Sequence, residues 1–178
     1  MRKLKAWQYV TLDGVVEAPE NWVIPDDEMF AAQTAGYAAS DALLLGRRTY
    51  EVFAASWPER GSDVANADWM NTTPKYVAST TLESPKWQNT TVLAGDAAEA
   101  VSRLKQQDGE DITLNGSAGL LRSLLTAGLV DELRLFLHPI ALGSGARLFD
   151  DTPLSLELAE CRAYDNGVAS LTYHPRTT

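Results

Sequence analysis

The chain divides into short segments by the way apolar and polar residues alternate or cluster. Residues 4–12, Leu-Lys-Ala-Trp-Gln-Tyr-Val-Thr-Leu, form a β-rich run closed by the turn pair Asp13-Gly14, which predicts a first strand. A polar loop with Pro19, Asn21 and Pro25 follows, and the acidic trio Asp26-Asp27-Glu28 opens a helical stretch to about Ser40. Ala42-Leu43-Leu44-Leu45 is continuously apolar, as in a strand buried on both faces of a parallel sheet. Gly46 ends that run, and residues 48–54 read as a short helix. Residues 55–74, rich in Asn, Asp, Gly and Pro, predict mostly loop.

Two more strands are expected at residues 75–79 and 91–94. Asp96 with Glu99 forms an N-cap pattern, behind which Ala97, Ala100, Val101 and Leu104 share one helical face. Residues 111–114 make the next strand, and Asn115-Gly116-Ser117 turns into a helix. There Leu121, Leu124 and Leu125 face inward and Gly128 stands at the C-cap. The last third alternates instead: Leu133, Leu135 and Leu137, then Leu154, Leu156 and Leu158, with Pro139 and Gly143-Ser144-Gly145 between. Asp165-Asn166-Gly167 carries type I′ hairpin chemistry. Strands alternating with helices, followed by a meander, predict one α/β domain over residues 1–178. Its sheet should be mostly parallel, with antiparallel strands at one edge.

Composition narrows the partners. Lys plus Arg is 15 and Asp plus Glu is 24, a net charge of −9. Such a surface repels phosphate backbones and anionic lipid, so neither nucleic acid nor membrane is expected as a partner. A bound nucleotide needs a local basic cluster acting against the global field. Cys161 is the only cysteine, and His138 and His174 the only histidines, so neither an internal disulfide nor a structural metal site is expected. Met1-Arg2-Lys3-Leu4-Lys5 resembles a signal n-region, but Gln8, Thr11 and Asp13 break any apolar segment after it. A cytoplasmic location is the expectation.

Three strand-to-turn junctions carry the candidate chemistry. At Gly46-Arg47-Arg48-Thr49 a strand-end glycine permits close backbone approach, and the new helix offers amide hydrogens to an anion. The two arginines and the threonine add donors suited to phosphate. The alternative is a plain turn glycine with solvated arginines. Ser79-Thr80 gathers hydroxyls at a second strand end, where such residues also make ordinary turns. Asn115-Gly116-Ser117-Ala118 stands between a buried strand and a helix N-terminus, a geometry for pyrophosphate, although the full dinucleotide glycine fingerprint is absent. All three lie at strand carboxyl ends, where open α/β sheets bind ligands, so Gly46 and Gly116 should share one groove. The acidic trio Asp26-Asp27-Glu28, beside Trp22 and Pro25, and Asp13 supply the candidate acids. A helix-start acid that only complements the helix dipole and a plain Asp-Gly turn are the simpler roles. His138, before Pro139, reads as a packed or surface histidine.

In this order the junctions resemble the dihydrofolate reductase superfamily. The match is closer to the branch containing the reductase domain of the bifunctional riboflavin-biosynthesis deaminase/reductase. The carrying residues are Thr11-Leu12-Asp13-Gly14, Leu44-Leu45-Gly46-Arg47-Arg48-Thr49-Tyr50 and the long block from Asn115-Gly116-Ser117 through Val130-Asp131-Glu132, Pro139 and Leu142-Gly143-Ser144-Gly145 to Leu148-Phe149. The resemblance implies a three-layer fold with helices on both sheet faces, NADPH as cofactor, a small-molecule substrate, and a homodimer through the strands from Leu133 onward. It implies that Gly46, Arg47, Arg48, Thr49, Ser79 and Thr80 hold the adenosine and its 2′-phosphate. Asn115, Gly116, Ser117 and Ala118 would cradle the pyrophosphate, with the nicotinamide near Asp13-Gly14. A substrate cleft would be bounded by Asp13, Trp22, Asp27, Phe53 and Trp57. The implied activity is hydride transfer to a small heteroaromatic or carbonyl substrate. The alternative is a non-catalytic module that binds a nucleotide or a pterin on the same fold.

Overall fold

A computed structural model of the chain describes residues 1–149 and 153–176. Its strands are β1 (Leu4–Thr11), β2 (Ser40–Gly46), β3 (Lys75–Ala78), β4 (Thr90–Leu93), β5 (Asp111–Leu114), β6 (Glu132–His138), β7 (Leu156–Ala163) and β8 (Ala169–Pro175). They join in one eight-stranded sheet in the order β4-β3-β2-β5-β1-β6-β8-β7. The first six strands pair in parallel, while β8 pairs antiparallel with both β6 and β7. The switch falls where the continuous apolar runs give way to alternation, because only buried parallel strands need apolar residues on both faces.

Helices α1 (Asp27–Ala38), α2 (Arg47–Ala54), α3 (Ala67–Thr72), α4 (Ala97–Lys105) and α5 (Ala118–Thr126) cover both faces. Side chains of a strand alternate between faces, so β1 and β2 each feed two cores. Leu4, Ala6, Ala42 and Leu44 pack with Val101 and Leu104 of α4 and Leu121 and Leu124 of α5. Opposite, Leu43 and Leu45 pack with Tyr37 of α1, Tyr50 of α2 and Met70 of α3, while Trp7 packs with Met29 of α1. Each fully buried leucine contributes roughly 1.5–3 kcal/mol. The three-layer α/β architecture is the one expected. Among the described residues no helix is long and apolar enough to cross a membrane.

Local differences have local causes. Helix α3 and a 3-10 turn at Trp57–Glu59 lie within the stretch read as mostly loop. Asn66 caps α3 in the left-handed conformation without a side-chain bond, so the helix is held by burial of Ala67 and Met70 rather than by local signals. β1 stops at Thr11, leaving Leu12 exposed. β7 begins only at Leu156, and Leu158 is exposed because β7 is the sheet edge and its register shifts there. The turn between β7 and β8 is not type I′, since of its central residues only Gly167 has positive φ. Gly167 N–H donates to the Tyr164 carbonyl at 3.0 Å. This is the three-residue hairpin in which a type I turn precedes a left-handed glycine.

Candidate functional site

Strand register alone brings two of the junctions together. β2 and β5 are neighbours paired as far as Leu44↔Leu114, so their carboxyl ends emerge side by side. The Gly46 N–H donates to the Gly116 carbonyl at 3.0 Å. A Cβ on Gly46 would stand 2.5 Å from Ser117 Oγ and 3.1 Å from the Ser117 nitrogen. Gly116 has φ +76°, and a Cβ there would meet Thr49 Oγ1 at 3.0 Å. Both glycines are therefore required by contact, the second also by conformation. The Gly116–Ser117 peptide is cis. Asn115 is anchored from the other side, its Nδ2 donating to the hydroxyl of Tyr37, whose pKa burial pushes up.

Two helices start at this contact. Helix α2 has Gly46 as N-cap and no side-chain cap, so the amides of Arg47, Arg48 and Thr49 lack a helical acceptor. At the start of α5 Ser117 Oγ accepts from Leu120 N–H at 3.4 Å, and the amides of Ala118 and Gly119 have no partner among the described residues. Such helix starts attract anions. The guanidinium of Arg47 makes a 3.4 Å ion pair with Glu51, exposed on both sides. A pair of this kind contributes about 0.3–0.5 kcal/mol, too little to keep Arg47 from a phosphate. Exposed Arg48 has no side-chain partner among the described residues. Ser79 follows β3, whose last residue Ala78 pairs with Gly46. Its Oγ accepts from Thr81 and Leu82 N–H at 3.1 and 3.0 Å, leaving its own proton to donate, and Thr80 beside it is exposed. These residues suit an anionic dinucleotide.

A slot adjoins the contact. The β1–β5 ladder stops at Ala6↔Leu114, whereas β1–β6 continues to Thr11↔His138. From Trp7 upward, the flank of β1 that faced β5 has no strand beside it. Trp7 and Gln8, on opposite faces of β1, bury Nε1 and Oε1 without hydrogen-bond partners among the described residues.

At the end of β1, Asp13 is tied into loop structure. Its carboxylate accepts from Thr11 Oγ1 at 2.6 Å, from Leu142 N–H at 3.2 Å and from Gly143 N–H at 2.7 Å. The Thr11 hydroxyl and the Gly143 amide hold its pKa down to about 2, so it fastens a loop and is not a reservoir of protons at neutral pH. Asp26, not Asp27, caps α1 by accepting from Met29 N–H at 2.8 Å; Asp27 is exposed in the first turn. Trp22 is buried, donates from Nε1 to the Glu17 carbonyl at 2.7 Å, and meets His138 edge-on at 5.5 Å. Phe53 and Trp57 pack on each other at 6.2 Å within the cluster of Tyr50 and Met70. No ring contact joins Trp22 to either among the described residues. Tyr37 and Gln8 carried no motif. Only its place between Ala6 and Val10 on a face that is otherwise apolar could have drawn attention to Gln8.

Residues 2–170 match the model of the RibD C-terminal domain. The YyaP protein of Bacillus subtilis is 33% identical over 174 residues, covering 93% of this chain and 90% of that one. A Shewanella sp. PV-4 protein assigned to riboflavin biosynthesis superposes with TM-score 0.76 at 21% identity, covering 98% of this chain and 99% of its own. Dihydrofolate reductase of Enterococcus faecalis, complexed with NADP(H), superposes with TM-score 0.66 at 17% identity, covering 98% and 97%. At those identities the two structures speak for the fold. The family match over nearly the whole chain, with the relative at one-third identity, shows that the chain belongs to the RibD C-terminal domain family.

Proposed function

We propose that the protein is an NADPH-dependent reductase delivering hydride to a small heteroaromatic or carbonyl substrate. The carrying observation is the meeting of two helix starts at the Gly46–Gly116 contact, beside two loosely held arginines. Gly46, Arg47, Arg48 and Thr49, with Ser79 and Thr80, hold the adenosine and its 2′-phosphate. Asn115, Gly116, Ser117 and Ala118 hold the pyrophosphate. NADPH, when bound, supplies the hydride. The rest falls to the chain: the slot beside β1 receives the nicotinamide near Asp13-Gly14, and Asp27 directs a proton from the rim of α1. Asp13 keeps the adjoining loop in place. Trp22, Phe53 and Trp57 supply apolar surface around the substrate. Support comes from the Enterococcus faecalis enzyme, which shares the fold and was solved with NADP(H). A homodimer belongs to the same proposal, with the exposed edge strand β7 as its contact.

Titration of the pure protein with NADPH, followed by nicotinamide fluorescence, tests this function. Saturation below millimolar cofactor is expected, and no binding in that range overturns it. Charge-assisted hydrogen bonds contribute roughly 1.5–3 kcal/mol each. Replacing Arg47 and Arg48 together by alanine should therefore weaken NADPH about ten- to a hundred-fold and NADH far less. Equal loss for both cofactors contradicts the assigned 2′-phosphate site. One observation favours the binding-only alternative: neither Asp13, saturated by loop donors, nor exposed Asp27 is a buried acid beside the slot. Cofactor that binds yet stays reduced with pterins, pyrimidinones and quinones would select it.

A further inference from the structure

Buried polar atoms are almost always hydrogen-bonded, and among the described residues three side-chain atoms are not: Trp7 Nε1, Gln8 Oε1 and His138 Nε2. His138 stands out for its position. It is the last residue of β6, paired with Thr11 at the rim where the candidate site lies, and it is fully buried. Its Nδ1 accepts from the Ile24 N–H at 3.3 Å. The ring proton therefore belongs on Nε2, the atom without an acceptor. Burial lowers the imidazole's pKa, so the ring is neutral and Nε2 is a donor. Tyr9 and Trp22 flank it edge-on at 5.6 and 5.5 Å.

The neighbouring group has the same polarity. Tyr9 Oη accepts from Gln33 Nε2 at 2.5 Å, which leaves the phenol proton to donate. Packing alone does not call for this arrangement, since an apolar side chain fills a core without stranding a donor. The cover over His138, Trp22 and the Ile24 amide, belongs to the connection between β1 and α1 rather than to the sheet.

We propose that His138 orients the substrate: its Nε2–H is held for a carbonyl oxygen of a planar heterocycle that enters beneath Trp22. This rests on the reductase function above and adds the polarity of the ligand, which presents a carbonyl oxygen and not an amino group to this wall. Two substitutions separate the donor from the fold. His138→Asn keeps an acceptor for the Ile24 amide through Oδ1 and deletes the Nε2 donor. His138→Gln places an amide N–H where Nε2 stands and gives up the Ile24 bond.

The probes are lumazine (pteridine-2,4-dione) and 2,4-diaminopteridine, the same ring with carbonyl oxygens or amino groups at positions 2 and 4, titrated by fluorescence. Lumazine affinity should fall about tenfold in His138→Asn and stay within about threefold of the parent in His138→Gln, as expected for one hydrogen bond. Binding of 2,4-diaminopteridine should be the weaker of the two in the parent and change little in either variant. Lumazine binding unchanged in His138→Asn, lost equally in both variants, or absent in the parent protein overturns the proposal. A parallel NADPH titration keeps the two ideas apart. Failure there with the lumazine series intact removes the reductase function and leaves His138 as a ligand donor; the converse removes only His138's role.

Discussion

The carboxyl ends of β2 and β5 and those of β1 and β6 share an address on the sheet and are built in opposite ways. At the first, backbone meets backbone: Gly46 donates to the Gly116 carbonyl, and helix amides beside the contact have no side-chain cap on α2. At the second, the loops beyond the strands spend their donors and acceptors on one another, and His138 Nε2 is the buried donor left over there among the described residues. The Asp13 carboxylate takes the Leu142 and Gly143 amides, Arg147 Nη1 donates to the Asp13 carbonyl, Leu148 N–H donates to the Gly14 carbonyl at 2.8 Å and Ala146 N–H to Glu17 Oε2 at 3.1 Å. One junction is open to an anion, and the other closes the molecule around the slot. Strand-end position is therefore insufficient to define a ligand site; the free hydrogen-bonding capacity left at that position decides.

The contrast breaks most readily at Gly46. Its φ of −79° is open to any residue, so Gly46→Ala acts through collision with Ser117 alone. Overpacking should cost about 1–3 kcal/mol in urea unfolding, and parting the two helix starts should weaken NADPH by tenfold or more. Full stability with unchanged affinity would show that the contact is not needed.

Asp13→Asn probes the closed junction. A carboxyl whose folded pKa lies near 2, below its ordinary 3.8, contributes stability above the ordinary value and loses it as pH falls through 2. The parent protein should lose stability over that acid interval and the variant should not. Amide exchange at Leu142 and Gly143 should quicken in the variant. The smallest effect is expected from Ser117→Ala, which removes a 3.4 Å cap on α5. About 0.5–1 kcal/mol is the expected loss, with NADPH affinity falling by a smaller factor than in Gly46→Ala.

Much of the open junction was legible because it is written in backbone-permissive residues. Gly46, Asn115 and Gly116 close predicted strands, and parallel pairing of those strands then fixes their proximity. The sheet was legible for a related reason, since continuous apolar runs and alternating runs bury different numbers of faces. The closed junction was not. Asp13-Gly14 reads as a turn, and its carboxylate's partners lie about 130 residues further along the chain. Helix α3 escaped because tertiary burial, not a cap, holds it. The partners of Trp22, which meets His138, and of Phe53 and Trp57, which pack with Tyr50 and Met70, were not legible, since aromatic residues mark burial without saying against what. His138 looked like a packed histidine and is one; its stranded Nε2 shows only once Ile24 is seen to occupy Nδ1.

The most direct measurement is an amide-resolved NMR titration of the 15N-labelled protein with NADPH. The amides of Arg47, Arg48, Thr49, Ala118 and Gly119 should shift together and saturate at one cofactor concentration, while those of Leu142 and Gly143, held by Asp13, stay bonded. Saturation that leaves Arg47–Thr49 and Ala118–Gly119 silent would place the nucleotide elsewhere and contradict the capture of its phosphates by these two helix starts.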